Sequence, residues 1–554
     1  MKIINKINGA SLYDFLKKES DRPYKKIATM AAISGLANAL VLGIINAASE
    51  LARNENASSQ LLLMFIIALT LFIVSEYYIL KFGSEIMEEI IDKIRVRLTN
   101  KVRNADLLSL EKIGTTEIYN RLTHETSTIS QSAGLIVATM QSIVMLTFVV
   151  LYIAYLSVTA FFLIIILLVS GIGIYLVNEK KQKALLLETN KKEMEFFDTL
   201  TSTLNGIKEI KFNKRRNIDL FARVRQLSTQ LRDRKVKFFV KYAENYIFSQ
   251  SFFFVCIAVM VFILPRLNSS YSDVISQATA AVLFMIGPVS NIAAVIPVLN
   301  MVGMAINNIY KLEAELDKMQ DVPVKESNDG FNRYFNFNEI EINQVYFEYK
   351  NNDSGNKFSV GPLNLKINKG ETIFLVGGNG SGKTTLLKTL TMLYYPDSGG
   401  ITIDNHVINK EDTPYYRELF ASVFAEYYLF DRLYGLSETL PEKIKELIRY
   451  LRLEDKTDFV DGRFTNLSLS TGQRKRLALI VALLEDKPIY IFDEWAADQD
   501  PEFRKFFYEE ILTELKNRGK TVLAVSHDDR YFKYADRVLR MEYGQVTENS
   551  AEKL

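Results

Sequence analysis

Two carboxylates, Asp493 and Glu494, stand side by side at the end of the apolar run Ile489-Tyr490-Ile491-Phe492. Adjacent acids repel each other, so a cation or a proton must make the pairing useful. A second stretch, ETIFLVGGNGSGKTTLLKTL, supplies what the acids lack. It reads as a strand, a glycine-rich turn and a helix, and Gly377, Gly382, Lys383 and Thr384 fit the spacing G-x-x-x-x-G-K-[ST]. Glycines let the backbone curl so that amide hydrogens point at an anion, and the helix start adds its positive dipole end. Asn379, Gly380, Ser381, Gly382, Lys383, Thr384 and Thr385 are therefore expected to hold the phosphates of ATP. Lys383 would reach the β and γ phosphates, while Thr384 and Asp493 would hold Mg²⁺. Glu494 would sit beside the γ-phosphate and orient or deprotonate the attacking water. Phosphoryl transfer is mostly positioning and charge stabilisation, so this inventory suffices for ATP hydrolysis.

A third stretch, LSLSTGQRKRLALIVALL, places Ser470, Thr471, Gly472 and Gln473 at the head of a helical run. Leu469 to Gln473 resembles the LSGGQ element of ATP-binding-cassette proteins, with Thr471 at the first Gly. In that family the element completes the ATP site of the opposite subunit, so two copies close around two nucleotides. The resemblance implies further roles. His527, in TVLAVSHDD, matches the switch histidine at the γ-phosphate. Tyr349, in VYFEYK, matches the aromatic residue that stacks on adenine. Asp500 matches the subunit-contact aspartate after the catalytic acid.

These residues occupy only the second half of a 554-residue chain, long enough for two or more domains. The mean hydropathy of +0.03 hides two unlike parts. Six stretches, near 25–48, 60–82, 133–155, 157–178, 245–265 and 276–300, are apolar for about the 20 residues that a helix needs to cross a bilayer. The expected architecture is an all-α six-helix transmembrane domain over 25–313, a linker over 314–332, and an α/β P-loop cassette over 333–554. Residues 1–24 form a polar N-terminal segment. Lys93 to Arg121 and Lys180 to Lys235 make two long basic loops. The positive-inside rule puts these loops, the cassette and both termini in the cytoplasm. The spans are expected to continue as helices into these loops and to turn back near 104–118 and 202–212. Asn38, Asn46, Glu76, Gln141, Gln250, Asn291 and Asn300 are polar groups within or beside spans, as cavity lining or helix-to-helix glue. Glu76 reads as a snorkelling acid, and Gly287-Pro288 and Pro297 as bends in the sixth helix.

The charge balance, 67 basic against 65 acidic residues, gives no reason to expect nucleic acid as a partner. Three histidines and one cysteine leave little room for zinc and exclude an intramolecular disulfide. Cys256 reads as a small buried hydrophobe. The first residues lack the apolar core of a signal peptide.

Six spans followed by one cassette resemble an ABC exporter half-transporter acting as a homodimer. Most cassettes read Pro-Thr-Ser after the catalytic Glu, whereas this chain has Trp495-Ala496-Ala497. That variant is similar to the cyclic-peptide and siderophore exporters, the group that includes pyoverdine, syringomycin and lasso-microcin transporters. The likeness implies a small peptide-like or siderophore-like cargo. Where cassettes usually carry a Mg²⁺-touching Gln, this chain has Ala425 with Glu426 next, and water is expected to fill the gap. The segment 431–468, the expected helical subdomain, is short. The first 24 residues are too few for a leader-cleaving peptidase, so no proteolysis is expected. An ATP-gated channel or membrane sensor is the alternative. A soluble cassette ATPase is excluded by the spans, and an importer is disfavoured because span and cassette share one chain.

Overall fold

The computed structural model describes residues 10–21, 25–53, 59–263, 275–319, 321, 332–349, 358–436 and 438–550. The end of the fifth span at 264–265, the loop cation Arg266 and most of the linker, 320 and 322–331, lie outside the described residues. The chain forms two compact units. One comprises Met1–Asn100 with Thr116–Glu315, the other Lys101–Thr115 with Leu316–Leu554.

The first unit is helical. A short helix α1 (Ala10–Glu19) precedes α2 (Lys25–Arg53), α3 (Ser59–Arg103), α6 (Thr126–Leu156), α7 (Val158–Asn205), α9 (Lys214–Ala258) and α10 (Ile275–Lys318). Among the described residues, six helices are long and apolar enough to cross a membrane. α3, α7, α9 and α10 have 44 to 48 residues each. At about 1.5 Å per residue that is roughly twice the thickness of a hydrocarbon core. The spans thus continue as helices, as their loop composition implies. α10 runs unbroken through Pro288 and Pro297.

Lipid offers no hydrophobic drive for helix association, so polar pairs and close approach must supply it. Asn291 Nδ2 donates to Ser142 Oγ at 3.1 Å, and Gln250 Nε2 to Ser290 Oγ at 3.0 Å. Asn46 Nδ2 reaches Tyr152 OH at 3.3 Å, and Asn38 Nδ2 reaches Met145 Sδ at 3.3 Å. Asn300 is buried in α10. Glu76 does more than snorkel: it accepts from Ser34 Oγ at 3.2 Å, and Ser34 accepts from Gln141 Nε2 at 2.8 Å. A chain of three helices is bonded there. Gly83 lets α3 approach α6 so closely that an added Cβ would fall 2.8 Å from Val137 Cγ2. Cys256 is buried among Met145, Ile164, Phe253 and Met285, a small hydrophobe.

The two expected turns are short helices. α4 (Leu107–Ile113) starts where Asp106 Oδ1 accepts from Ser109 N at 2.9 Å and ends at Gly114, whose φ of 84° suits glycine. α5 (Thr115–Asn120) follows it. α8 (Ile207–Phe212) lies between Gly206 and Asn213, and the Asn213 side chain caps α9 through Arg216 N at 3.0 Å.

The second unit is an α/β cassette. A four-stranded antiparallel sheet has the order β2-β1-β4-β5, with β1 Glu339–Glu348, β2 Ser359–Asn368, β4 Ser398–Ile403 and β5 His406–Val407. A six-stranded sheet has the order β12-β11-β3-β10-β9-β6. Its strands are β3 Thr372–Val376, β6 Phe420–Val423, β9 Ile489–Phe492, β10 Thr521–Val525, β11 Arg537–Glu542 and β12 Gln545–Ser550. All neighbours pair in parallel except β11 with β12. β3, β9 and β10 are buried along their whole length, as helices packed on both faces of a parallel sheet require. Segment 431–468 holds one α-helix among its described residues, α13 (Pro441–Tyr450), and the two-residue strands β7 (Phe459–Val460) and β8 (Arg463–Phe464). It is as spare as its length implies.

Candidate nucleotide site

Parallel strands deliver their C-terminal ends to one edge, and ligands of such sheets bind there. β3 ends one residue before Gly377, β9 one residue before Asp493 and β10 two residues before His527. Three buried strands thus bring the sequence-predicted residues together from across 151 positions of chain, 377 to 527.

Between β3 and α11 (Lys383–Leu390) the loop curls through Gly377, Gly380 and Gly382 at φ of 154°, 76° and 108°. At Gly377 a Cβ would collide with the Met541 carbonyl oxygen and fall 2.9 Å from Ser381 Oγ. Lys383 is buried, and its Nζ donates to the carbonyls of Gly377 at 3.2 Å and Gly378 at 3.0 Å. Thr385, next in the helix, is buried, and Thr384 Oγ1 donates to Asp493 Oδ2 at 2.8 Å. Asp493 has no exposed surface. Burial pushes its carboxyl above the usual carboxylate range, and Glu494 adds to this against the Thr384 hydroxyl and Lys383. A divalent cation would reverse that trend.

The residues fit ATP and Mg²⁺ on two observations. Ser381 Oγ and Asp493 Oδ1 are buried without a hydrogen-bond partner, and both lie on elements that frame the loop. Buried orphan oxygens are costly unless something fills the site. Among the described residues no cluster of three His, Cys, Asp or Glu side chains forms a cage of its own. A site of one carboxylate and one hydroxyl suits Mg²⁺, which is usually held by one or two carboxylates plus substrate phosphates.

Glu494 adopts φ 52°, ψ 34°, a left-handed conformation that costs a non-glycine residue about 1–2 kcal/mol. Its Oε1 lies 3.1 Å from His527 Nε2 and 3.9 Å from Lys383 Nζ. The candidate catalytic acid and the candidate switch histidine are thus direct partners. Asn379 and Gly380 lie exposed at the loop crest.

Tyr349 follows β1 and pairs its N–H with the Phe358 carbonyl at 3.0 Å. Its ring packs on edge against Phe347 and Tyr394, and its hydroxyl lies 3.4 Å from Thr385 Oγ1. The expected adenine platform therefore stands at the phosphate-loop helix. Ser470 caps α14 (Thr471–Glu485) in a reciprocal box with Gln473, with N···O distances of 3.4 and 3.1 Å. Thr471 is exposed beside it. At Gly472 a Cβ would lie 2.6 Å from the Asp498 carbonyl oxygen, so only glycine fits that approach. Asp500 caps the next helix, α15 (Pro501–Phe506), through Phe503 N at 2.9 Å, and also accepts from Arg476 Nη2 at 2.6 Å. Ala425 and Glu426 are both exposed.

The structural roles of two residues escaped sequence reasoning. Lys475 is buried, and its Nζ donates to the Glu494 carbonyl oxygen at 2.7 Å. Trp495, wholly buried, donates from Nε1 to the Lys475 carbonyl oxygen at 2.8 Å and stacks on Phe507 at 4.4 Å. The signal available for Lys475 was helical phase: four residues before Leu479, it falls on the apolar stripe of α14.

A phosphate loop on a parallel sheet, a carboxylate pair one strand away and a capped glycine helix define a P-loop cassette ATPase joined to a multi-span helical unit. Comparison with known proteins agrees. Residues 360–497 match the family described as ABC transporter, and 27–289 match the ABC transporter transmembrane region. The chain is 30% identical over 542 residues to the ATP-binding protein SyrD of Pseudomonas syringae pv. syringae, covering 95% of this chain and 94% of that one. It is 25% identical over 560 residues to an ATP-dependent lipid A-core flippase of Wigglesworthia glossinidia brevipalpis, with coverage of 93% and 92%. A solved structure of a bacterial Atm1-family ABC exporter with ATP bound superposes with a TM-score of 0.76 at 15% identity, covering 96% of each chain. The chain belongs to the ABC exporter family: it hydrolyses ATP with Mg²⁺ and uses that reaction to drive export.

Proposed function

We propose that the chain is a half-transporter that works as a homodimer in a bacterial inner membrane and exports a peptide-like or siderophore-like small molecule. The cassette, taken as 333–554, and both termini face the cytoplasm, and the transmembrane domain spans 25–313. Glu494 activates the attacking water, and His527 contacts the γ-phosphate. Thr384 and Asp493 hold Mg²⁺, and Lys383 with the loop from Gly377 to Thr385 holds the phosphates. Tyr349 stacks on adenine. Ser470, Thr471, Gly472, Gln473 and Asp500 serve the site shared with the second subunit.

The cargo class rests on one observation above all: Trp495-Ala496-Ala497 follows the catalytic acid. That variant carries the resemblance to cyclic-peptide and siderophore exporters, and the full-length likeness to SyrD supports the same reading. The testing experiment is ATPase stimulation of the reconstituted full chain across cyclic peptides, siderophores and lipid A-core. Stimulation by a cyclic peptide or siderophore supports the proposal. Stimulation by lipid A-core alone would overturn it. Uphill accumulation of that compound in inside-out vesicles separates pumping from gating.

A further inference from the structure

Glu494 holds its left-handed backbone between two flat constraints, and both come from Lys475. The Lys475 side chain crosses to the Glu494 carbonyl oxygen at 2.7 Å. The Lys475 main-chain carbonyl accepts from Trp495 Nε1 at 2.8 Å. One residue thus holds the Glu494 carbonyl with its side chain and the Trp495 indole with its backbone. A second contact steadies the ammonium, which lies 2.7 Å from Asp498 Oδ2 while only 5% of the lysine side chain is exposed. The Trp495 ring cannot shift easily, because it stacks on Phe507 with planes 27° apart.

We propose that Lys475 is a positioning residue for the Glu494 carboxylate. The physical argument starts from the backbone. A left-handed residue between a strand and a helical turn has relaxed alternatives, and the orientation of its carbonyl distinguishes them. A buried ammonium on that carbonyl selects one, since leaving the pair unmade would strand a charge in the interior. Fixing the peptide plane fixes where the Cα–Cβ bond points, and so where Oε1 stands relative to His527 Nε2 and Lys383 Nζ, 3.1 and 3.9 Å away. Lys475 touches neither of those groups. It acts through the turn. Its place on α14, five residues after Ser470, also ties the glycine helix cap to the catalytic turn within one subunit. Gln499 Nε2, which donates to the Gly472 carbonyl at 3.0 Å, makes a parallel tie.

The inference rests on Glu494 being the catalytic acid, and the test separates the two. Trp495 is the single tryptophan of the chain, so intrinsic fluorescence reads this turn alone. ATP hydrolysis is measured on the reconstituted full chain for K475M, K475Q and E494Q, with Trp495 emission recorded for each. The expected result for K475M is a blue, unquenched Trp495 emission like that of the parent, a kcat about 10- to 100-fold lower, and a KM for ATP within twofold. A misplacement of about 1 Å at a reacting group is enough for such a loss. If K475M exposes Trp495, K475Q carries the test, because it is too short to bridge the carbonyl and Asp498 together. A kcat within twofold of the parent in a variant with buried Trp495 overturns the proposal, as does a loss that appears entirely in KM. Exposure of Trp495 in both variants assigns Lys475 to the fold and overturns it too. Retained turnover in E494Q would instead refute the role of Glu494, whatever Lys475 does.

Discussion

His527 Nε2 and Glu494 Oε1 lie 3.1 Å apart, although they stand 33 positions apart in the chain with a helical stretch and strand β10 between them. The pair forms because β9 and β10 are parallel neighbours, with Phe492 opposite Ala524, so their C-terminal turns open side by side. An imidazole so placed can steer the carboxylate that is proposed to activate water. E494Q is expected to lower phosphate release about 10³-fold, within the range for loss of a general base. H527A is expected to cost about 10²-fold, and the double variant should be no slower than E494Q, since the two act as a unit. Phosphate release by E494Q within tenfold of the parent would count against this reading.

The glycines of the phosphate loop are not equivalent. Gly377 has a carbonyl where a Cβ would go, whereas Gly380 has nothing within 4 Å. G377A is therefore expected to raise the Kd for ATP at least about 100-fold, because the loop must open to admit the methyl group. G380A carries only the left-handed penalty of about 1–2 kcal/mol. Binding of a fluorescent ATP analogue to each variant measures the contrast. Equal losses would mean that backbone conformation, not the Met541 carbonyl, dictates glycine at 377.

Much of this site was legible because its parts are continuous in sequence. The phosphate loop, the Asp493-Glu494 pair and the glycine cap each fit within a few residues, and a buried parallel strand announces the first two. The spans were legible from composition, since a bilayer demands length. What stayed hidden depends on which side chain meets which across the fold. Lys475 sits in Arg474-Lys475-Arg476, yet only Arg474 is solvent-exposed: Lys475 is buried and Arg476 lies over the Phe503 ring. Glu76 looked like a snorkelling acid because its partner Ser34 lies 42 residues away on another helix.

Contacts of α4 illustrate the same limit and yield a third expectation. Glu111 accepts from Lys388 Nζ at 3.1 Å and from Tyr394 OH, and Lys388 lies on α11, which begins at the phosphate loop. Burial first, and Glu111 next, hold the Tyr394 phenol above its ordinary pKa, so it remains a donor. A short helix between α3 and α6 in the chain is thereby fastened to the helix that follows the phosphate loop. E111A should remove about 1–2 kcal/mol of that fastening and lower transported cargo per ATP severalfold while basal hydrolysis stays within about threefold. Vesicle uptake and phosphate release, measured together, check this. A proportional fall in both would show that Glu111 serves the ATP site itself.

A buried ion cluster fixes α1. Arg97 donates to both oxygens of Glu19, at 2.7 and 3.0 Å, and lies 2.9 Å from Glu313 Oε1, while Tyr310 OH donates to Glu19 at 3.0 Å. Burial pushes the Glu19 carboxyl up, but the Arg97 hydrogen bonds and charge, with Tyr310, outweigh it and hold the group below the usual range. A depressed acid contributes stability above its unfolded pKa of about 4.3 and loses it as pH falls through the lower folded value. Tyr310 behaves in the opposite sense. Burial and Glu19 raise its pKa, so its contribution is complete below about 10 and is lost as pH rises through the folded value. The attachment of α1 should therefore be strongest between about pH 5 and 10 and fail on either side. E19Q should cost about 3 kcal/mol at neutral pH, as expected when one partner of a buried pair is removed, and should erase the acid limb while the parent retains it. Hydrogen exchange of Ala10–Glu19 against pH reads both effects, and an acid limb that persists in E19Q would assign it to another carboxylate.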